Sequence, residues 1–260
     1  MKYSYSDVLE SRKSSHEAQG KFMADNYVIM SKISKTLSSV PAWIFLNLGI
    51  KPNTITLVSI VFVVLSSIFF VFGHVLYAII SYLIFALLDS VDGDMARVLG
   101  PSKYGGTLDS FGADFLYALI PSTMGFYLFK EGVAVSVFTP EYILLVGVLV
   151  SVTLLLYRII TTKTISFLRS LEKTEEKRAD ASGSSDAFPS PLFCLVKLYR
   201  NDVFRNNFFA EPGLILWPTI FFAVGRPDMV AIYLVLFFVY NLGYLLTTFI
   251  KTYRIFRTHG

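Results

Sequence analysis

Long apolar runs with few charges dominate the chain. Residues 54–72 and 229–250 contain no Asp, Glu, Lys or Arg, and each is close to the ~20 residues a helix needs to cross the hydrocarbon core of a bilayer. Residues 142–157 are equally apolar, and the run extends to 160 if Arg158 snorkels toward the interface. Residues 75–88 run straight into an acidic stretch, whereas 105–129 open on acids and then turn apolar. The segment 208–224 carries Glu211, Pro212 and Pro218 and is expected to kink. The pattern predicts an all-α, polytopic membrane protein with six transmembrane helices, at about 54–72, 75–98, 105–129, 142–160, 208–224 and 229–250.

The flanking segments are of a different kind. Residues 1–26 are polar, without the charged-then-apolar pattern of a signal peptide, and are expected to form a cytosolic tail. In 27–53, Lys32, Lys35 and several serines interleave with Val28, Ile29, Ile33, Leu37, Trp43 and Ile44. That mixture suits an amphipathic helix lying in the membrane interface; a soluble helix packed on the membrane domain is the alternative. Residues 161–207 form a predicted cytosolic loop, with a charged helix over 169–180 and a flexible break at Ala-Ser-Gly-Ser-Ser, residues 181–185. Residues 251–260 form a second cytosolic tail.

Composition excludes most other classes. Hydrophobic residues make up 54% before glycine is counted, above the ~45–50% that soluble domains reach with glycine included. A single cysteine, Cys194, can form neither an internal disulfide nor a Cys-rich metal site. The net charge of +4 is unevenly spread: with an inside N-terminus, 21 of the 23 Lys and Arg fall on inside segments, and only Lys130 and Arg226 lie outside. This bias places both termini in the cytoplasm. It also accounts for the basic balance without nucleic acid.

The informative stretch straddles the inside ends of the second and third spans. Asp89, Asp92, Asp94, Asp109 and Asp114 fall within 26 residues that contain one arginine, Arg97. Charged groups at membrane depth cost several kcal/mol each unless they pair, bind an ion or line a cavity. A lone intramembrane Asp is often a packing partner, but one Arg cannot neutralise five carboxylates. Asp89 and Asp92 stand at i and i+3 on one helix face, and the third span returns antiparallel to bring Asp109 opposite them. Carboxylates without His or Cys describe a hard-cation site for Mg²⁺ or Mn²⁺ that leaves positions for phosphate oxygens. Gly93 and Ala96 are small and leave room for a ligand against the backbone. Asp94 falls on another face and receives no role.

At these residues the sequence resembles the CDP-alcohol phosphotransferase family of integral membrane enzymes, with its pattern D-x2-D-G-x2-A-R-x7–8-G-x3-D-x3-D. Asp89, Asp92, Gly93, Ala96, Arg97, Gly105 and Asp109 match in type and spacing, and Pro52-Asn53-Thr54-Ile55-Thr56 is similar to the family's Pro-Asn-x-x-Thr segment. The likeness is strong from about 27 to 129 and architectural beyond. It implies transfer from a CDP-linked lipid donor, typically CDP-diacylglycerol, to the hydroxyl of a small alcohol or polyol-phosphate acceptor, releasing CMP, in phospholipid biosynthesis. It further implies two Mg²⁺ or Mn²⁺ ions with Asp89, Asp92 and Asp109 as ligands, nucleotide contacts from Gly93, Ala96, Arg97 and Gly105, Asp114 as general base, and a homodimer with its active site at the cytoplasmic face.

One departure stands out. The pattern's last two acids are four apart, but Asp109 and Asp114 are five apart. A five-residue step rotates about 140° around a regular helix, against about 40° for four, so a π-bulge near Phe111-Gly112-Ala113 is expected to restore Asp114 to the cluster. Arg158 and Lys163 can bind a phosphorylated acceptor or simply anchor the inside end of the fourth span; Lys103 and Arg169 are weaker candidates. Glu211 is either a boundary residue or an acceptor contact. Asn241 reads as an interhelical hydrogen-bond partner, and His16, His74 and His259 as solvated surface residues. Two other classes compete: an intramembrane prenyltransferase with an Asp-rich Mg²⁺–pyrophosphate site, and a cation-coupled transporter, which would spread its acids over several spans.

Overall fold

The computed structural model describes residues 2–18, 29–100, 102, 104–176, 205 and 207–259. Lys103, Cys194 and the break at 181–185 lie outside the described residues, as do the side chains of His16, Arg169 and His259. Among those described there is no strand beyond an isolated bridge between Val135 and Phe138. The helices are α1 (Tyr5–Ala18), α2 (Ile29–Asn47), α3 (Pro52–Phe72), α4 (Val75–Leu99), α5 (Gly105–Lys130), α6 (Pro140–Glu176), α7 (Glu211–Ala223) and α8 (Pro227–His259). Four are long and apolar enough to cross a membrane: α3, α4, the Pro140–Phe167 part of α6 and the Pro227–Arg254 part of α8.

Local chemistry sets the ends that matter for the site. Lys51 precedes a proline and is extended (φ −87°, ψ 145°), and Pro52 occupies the first turn of α3, where its missing N–H and fixed φ cost nothing. At the other end Gly73 takes φ 84°, its N–H bonding Phe70 O while the N–H of His74 bonds Phe69 O. This Schellman closure reverses the chain within two residues, so α4 returns antiparallel along α3. His74, in that reversal, is exposed.

Several boundaries differ from the sequence expectation. Helix α6 runs unbroken through 160 to Glu176, and α8 through 250 to His259; the charges that mark a membrane boundary do not interrupt helical hydrogen bonding. Helix α7 is 13 residues long, about 20 Å at 1.5 Å per residue, shorter than the 208–224 span. The stretch expected to be a polar tail instead holds α1, docked on α2 and α4. Val8 is fully buried with Ala42, Leu46, Ile55, Val91 and Met95. Asn47 clasps the N-terminal strand of chain, accepting from the N–H of Lys2 (2.9 Å) and donating to Tyr3 O (3.1 Å).

The main core runs between α3, α4, α5, α6 and α8, with Phe70, Tyr82, Phe85, Leu116, Met124 and Phe237 fully enclosed. In a bilayer such packing rests on close approach and hydrogen bonds more than on water exclusion. Ser122 and Ser151 link α5 to α6 at 2.7 Å, and Ser66 donates to Ala78 O at 2.8 Å. The closest approach is Gly125 against Gly147: a Cβ on Gly147 would stand 2.6 Å from Pro121 O and 2.9 Å from Gly125 Cα. Both neighbours are backbone and cannot move aside. Gly147→Leu is therefore expected to destabilise the fold by roughly 1–3 kcal/mol or more, seen as a lower midpoint in thermal unfolding of the detergent-solubilised protein, whereas the outward-facing Val148→Leu leaves it unchanged.

Candidate active site

A cavity of about 960 Å³ opens between the N-terminus of α3, the C-terminal half of α4, the start of α5 and the start of α7, with α1 and α2 on its rim. Asp89, Asp92, Gly93, Ala96, Arg97, Gly105 and Asp109 all line it, so the seven residues that matched the motif share one wall. Asp89 and Asp92 sit one turn apart on α4. Asp109 comes from the second turn of α5, brought alongside by the turn at Gly100, whose φ is 88°.

One oxygen from each of Asp89, Asp92 and Asp109 lies within 4.8 Å of the others. Among the described residues none of the three forms an ion pair with Lys or Arg. Asp92, 6% exposed, accepts a 2.5 Å hydrogen bond from Thr56 Oγ1. Thr56 and Asn53 belong to the Pro52–Thr56 segment and reach the site because it is the first turn of α3. Asn53 Oδ1 accepts from Ser102 Oγ at 3.0 Å, and a Cβ on Gly105 would stand 2.7 Å from that Ser102 oxygen, so a side chain there would require the Ser102 hydroxyl to turn away. An all-oxygen donor set of three converging carboxylates, none in a direct ion pair, fits Mg²⁺ or Mn²⁺.

Arg97 does not neutralise the cluster. Its Nη2 donates at 2.6 Å to Asp94, which is completely buried, and its guanidinium lies over Gly93, where an added Cβ would meet it at 3.5 Å. Arg97 Nε has no hydrogen-bond partner. Asp94, to which sequence reasoning assigned nothing, is engaged on both oxygens by Arg12 and also accepts from Ser38 Oγ at 2.7 Å. No local signal could have revealed this, since Arg12 is 82 residues away.

Asp114 is the correction. Helix α5 is α-helical throughout Gly105–Lys130, with no π-bulge. The five-residue step therefore turns Asp114 away from Asp109, and it is not on the cavity wall. It faces α6 and pairs with Arg158 Nε at 2.5 Å. Gly112 packs against Ile60 and Phe85 on the inner face instead. Arg158 is further held by Ser110 O at 3.0 Å and the Tyr117 ring; Lys163 is exposed and off the cavity. Asn241 Nδ2 donates to Phe237 O on its own helix and to Phe209 O in the turn that precedes α7, so its second bond goes to a turn and not to another helix.

Glu211, ambiguous in sequence, lines the cavity as the first residue of α7 and accepts from Tyr117 Oη at 3.2 Å. Its carboxylate is near enough to Asp89 and Asp109 for their charges to repel. The one clue available beforehand was an acid beside an apolar run.

Two comparisons bear on this arrangement. The family model described as CDP-alcohol phosphatidyltransferase matches residues 49–204, more than half of the chain, including Asp89, Asp92 and Asp109 but not Glu211. A curated relative, the archaetidylinositol phosphate synthase of Pyrococcus horikoshii, is 38% identical over 82 residues. That alignment takes in 31% of this chain and spans 39% of the relative's length.

Three carboxylates converging on one point should bind Mn²⁺ in the absence of any substrate. Titration of the purified protein with Mn²⁺ followed by electron paramagnetic resonance is expected to show saturable binding that Asp92→Asn or Asp109→Asn weakens at least about tenfold. Asp114→Asn is expected to leave it intact.

Proposed function

The chain belongs to the CDP-alcohol phosphatidyltransferase family, and on that premise we propose that it transfers a phosphatidyl-type group from a CDP-linked lipid, CDP-diacylglycerol in the first instance, to the hydroxyl of a small alcohol or polyol phosphate, with release of CMP. The observation that carries the reading is the trio of unpaired carboxylates on the wall of a cavity large enough for a nucleotide. Mg²⁺ or Mn²⁺ held by Asp89, Asp92 and Asp109 would supply charge stabilisation to the pyrophosphate and the departing CMP. Gly93, Ala96 and Gly105 are small residues on the wall along which the nucleotide can lie, and Arg97, whose guanidinium covers Gly93, offers N–H groups to its phosphates.

The acceptor's hydroxyl loses its proton as its oxygen attacks phosphorus and the bond to CMP breaks. In place of Asp114, which is tied to Arg158, we assign that proton to Glu211, the carboxylate on the cavity wall that is not one of the three metal ligands. Tyr117 holds it in place through its hydroxyl. The name of the Pyrococcus relative makes inositol phosphate a reasonable acceptor to test. We further propose that α5 and the α7 region complete six spans, that α2 lies in the interface, that the site opens to the cytoplasm, where CMP can diffuse away while the lipid stays in the bilayer, and that the enzyme works as a homodimer.

Purified protein given CDP-diacylglycerol, Mg²⁺ and a panel of glycerol 3-phosphate, serine, inositol and inositol phosphate is expected to release CMP with at least one acceptor, and chelation by EDTA to stop it. Asp92→Ala and Asp109→Ala abolish turnover while still inserting into membranes; activity retained in either refutes the site. Glu211→Gln is expected to lower kcat about a hundredfold and Asp114→Asn by less than about tenfold. The reverse order would return the proton to Asp114.

A further inference from the structure

Helix α1 lies outside the family match, yet it reaches the site. Ser11 and Ser14 line the cavity, and Arg12, between them, projects to α4. Its Nε donates to Asp94 Oδ1 at 3.1 Å and its Nη2 pairs with Asp94 Oδ2; Nη1 donates to Lys35 O at 2.5 Å, and Nη2 also reaches Ser38 Oγ at 3.1 Å. Asp94 is 0% exposed and takes its other cationic contact from Arg97. One carboxylate thus faces two guanidiniums, leaving one net positive charge. Of the two, Arg97 is the one on the cavity wall; its Nε is buried and without a hydrogen-bond partner among the described residues.

We propose that Arg12 is a positioning residue for the donor nucleotide: by occupying the Asp94 carboxylate from the far side, it keeps Arg97 over Gly93 with guanidinium N–H groups turned to the cavity. The proposal rests on the reading that the cavity binds a CDP-linked donor. Without Arg12, Asp94 is a buried carboxylate whose remaining cation is Arg97. A buried charge takes the best partner within reach, so Arg97 is drawn into a two-pronged pair with Asp94 and off the cavity wall. The cavity then loses a directed donor, and the Arg12–Asp94–Arg97 group loses its net positive charge. Because α1 docking and donor binding share Arg97, each favours the other by the same coupling free energy.

The effect falls on binding, not on the bond-breaking step, since a phosphate contact present before and during transfer changes KM with little change in kcat. Arg12→Gln is expected to raise the KM for CDP-diacylglycerol about tenfold, the worth of one charge-assisted contact. The kcat and the acceptor KM should change less than about twofold, and Arg12→Lys, which restores the charge but not the fork, should recover part of the loss. In the unmodified full-length protein, CDP is expected to slow amide hydrogen exchange along α1, a readout that a merely structural clamp would not move. A working protein in which Arg12→Gln leaves the donor KM unchanged overturns the proposal. So does an Arg12→Lys variant that, correctly inserted, is no better than Arg12→Gln, or an α1 indifferent to CDP. Wild-type protein that neither releases CMP nor binds CDP overturns the donor reading along with it.

Discussion

Three aspartates within 4.8 Å of one another on α4 and α5 are a charge concentration that no arginine or lysine among the described residues meets in a direct ion pair. A divalent cation held between them would supply the balancing charge. The i, i+3 step on α4 fixes two carboxylates on one face by helix geometry alone. The third comes from α5, and its convergence depends on how α4 and α5 are packed. The first turn of α3 then steadies the arrangement, because Thr56 donates to Asp92 from a helix whose start is set by Pro52.

The same helix shows a second way of burying a carboxylate. Asp94 is two residues beyond Asp92 and more deeply enclosed, but it is fully paired within the protein: Arg12, Arg97 and Ser38 take its oxygens. A buried acid with cationic partners is a structural joint; one with only a hydroxyl partner keeps its charge for an ion to balance. The opposite fates of Asp92 and Asp94 follow from the 100° between successive residues around a helix, which aims one pair of acids at the cavity and the other toward α1 and α2. Asp114 follows the same logic on α5. Its five-residue step from Asp109 aims it at α6, where Arg158 satisfies it.

Close helix approach explains how so polar a centre is held in an apolar bundle. Gly125 against Gly147 lets α5 and α6 touch at the backbone, and the serine contacts between helices add directional bonds. These contacts lie on the same helices that carry Asp109 and Arg158, so the position of the third carboxylate is tied to the packing of α5. At the site itself the glycine at 105 leaves room for the Ser102 hydroxyl that donates to Asn53.

Membrane character, the long helices 54–72, 75–98 and 229–250, and the Asp89, Asp92, Asp109 wall were legible in the chain because each rests on short-range rules: apolar run length, i, i+3 spacing and a motif confined to some twenty residues. The helix phase already cautioned that Asp114 would turn away, and the structure kept the regular helix in preference to the bulge. What the tertiary structure alone decided were the contacts between residues far apart in sequence: Arg12 with Asp94 across 82 positions and Tyr117 with Glu211 across 94. A local pattern tells which way a side chain leaves its own helix. Which partner meets it there depends on how separate helices pack, and that is a property of the whole bundle.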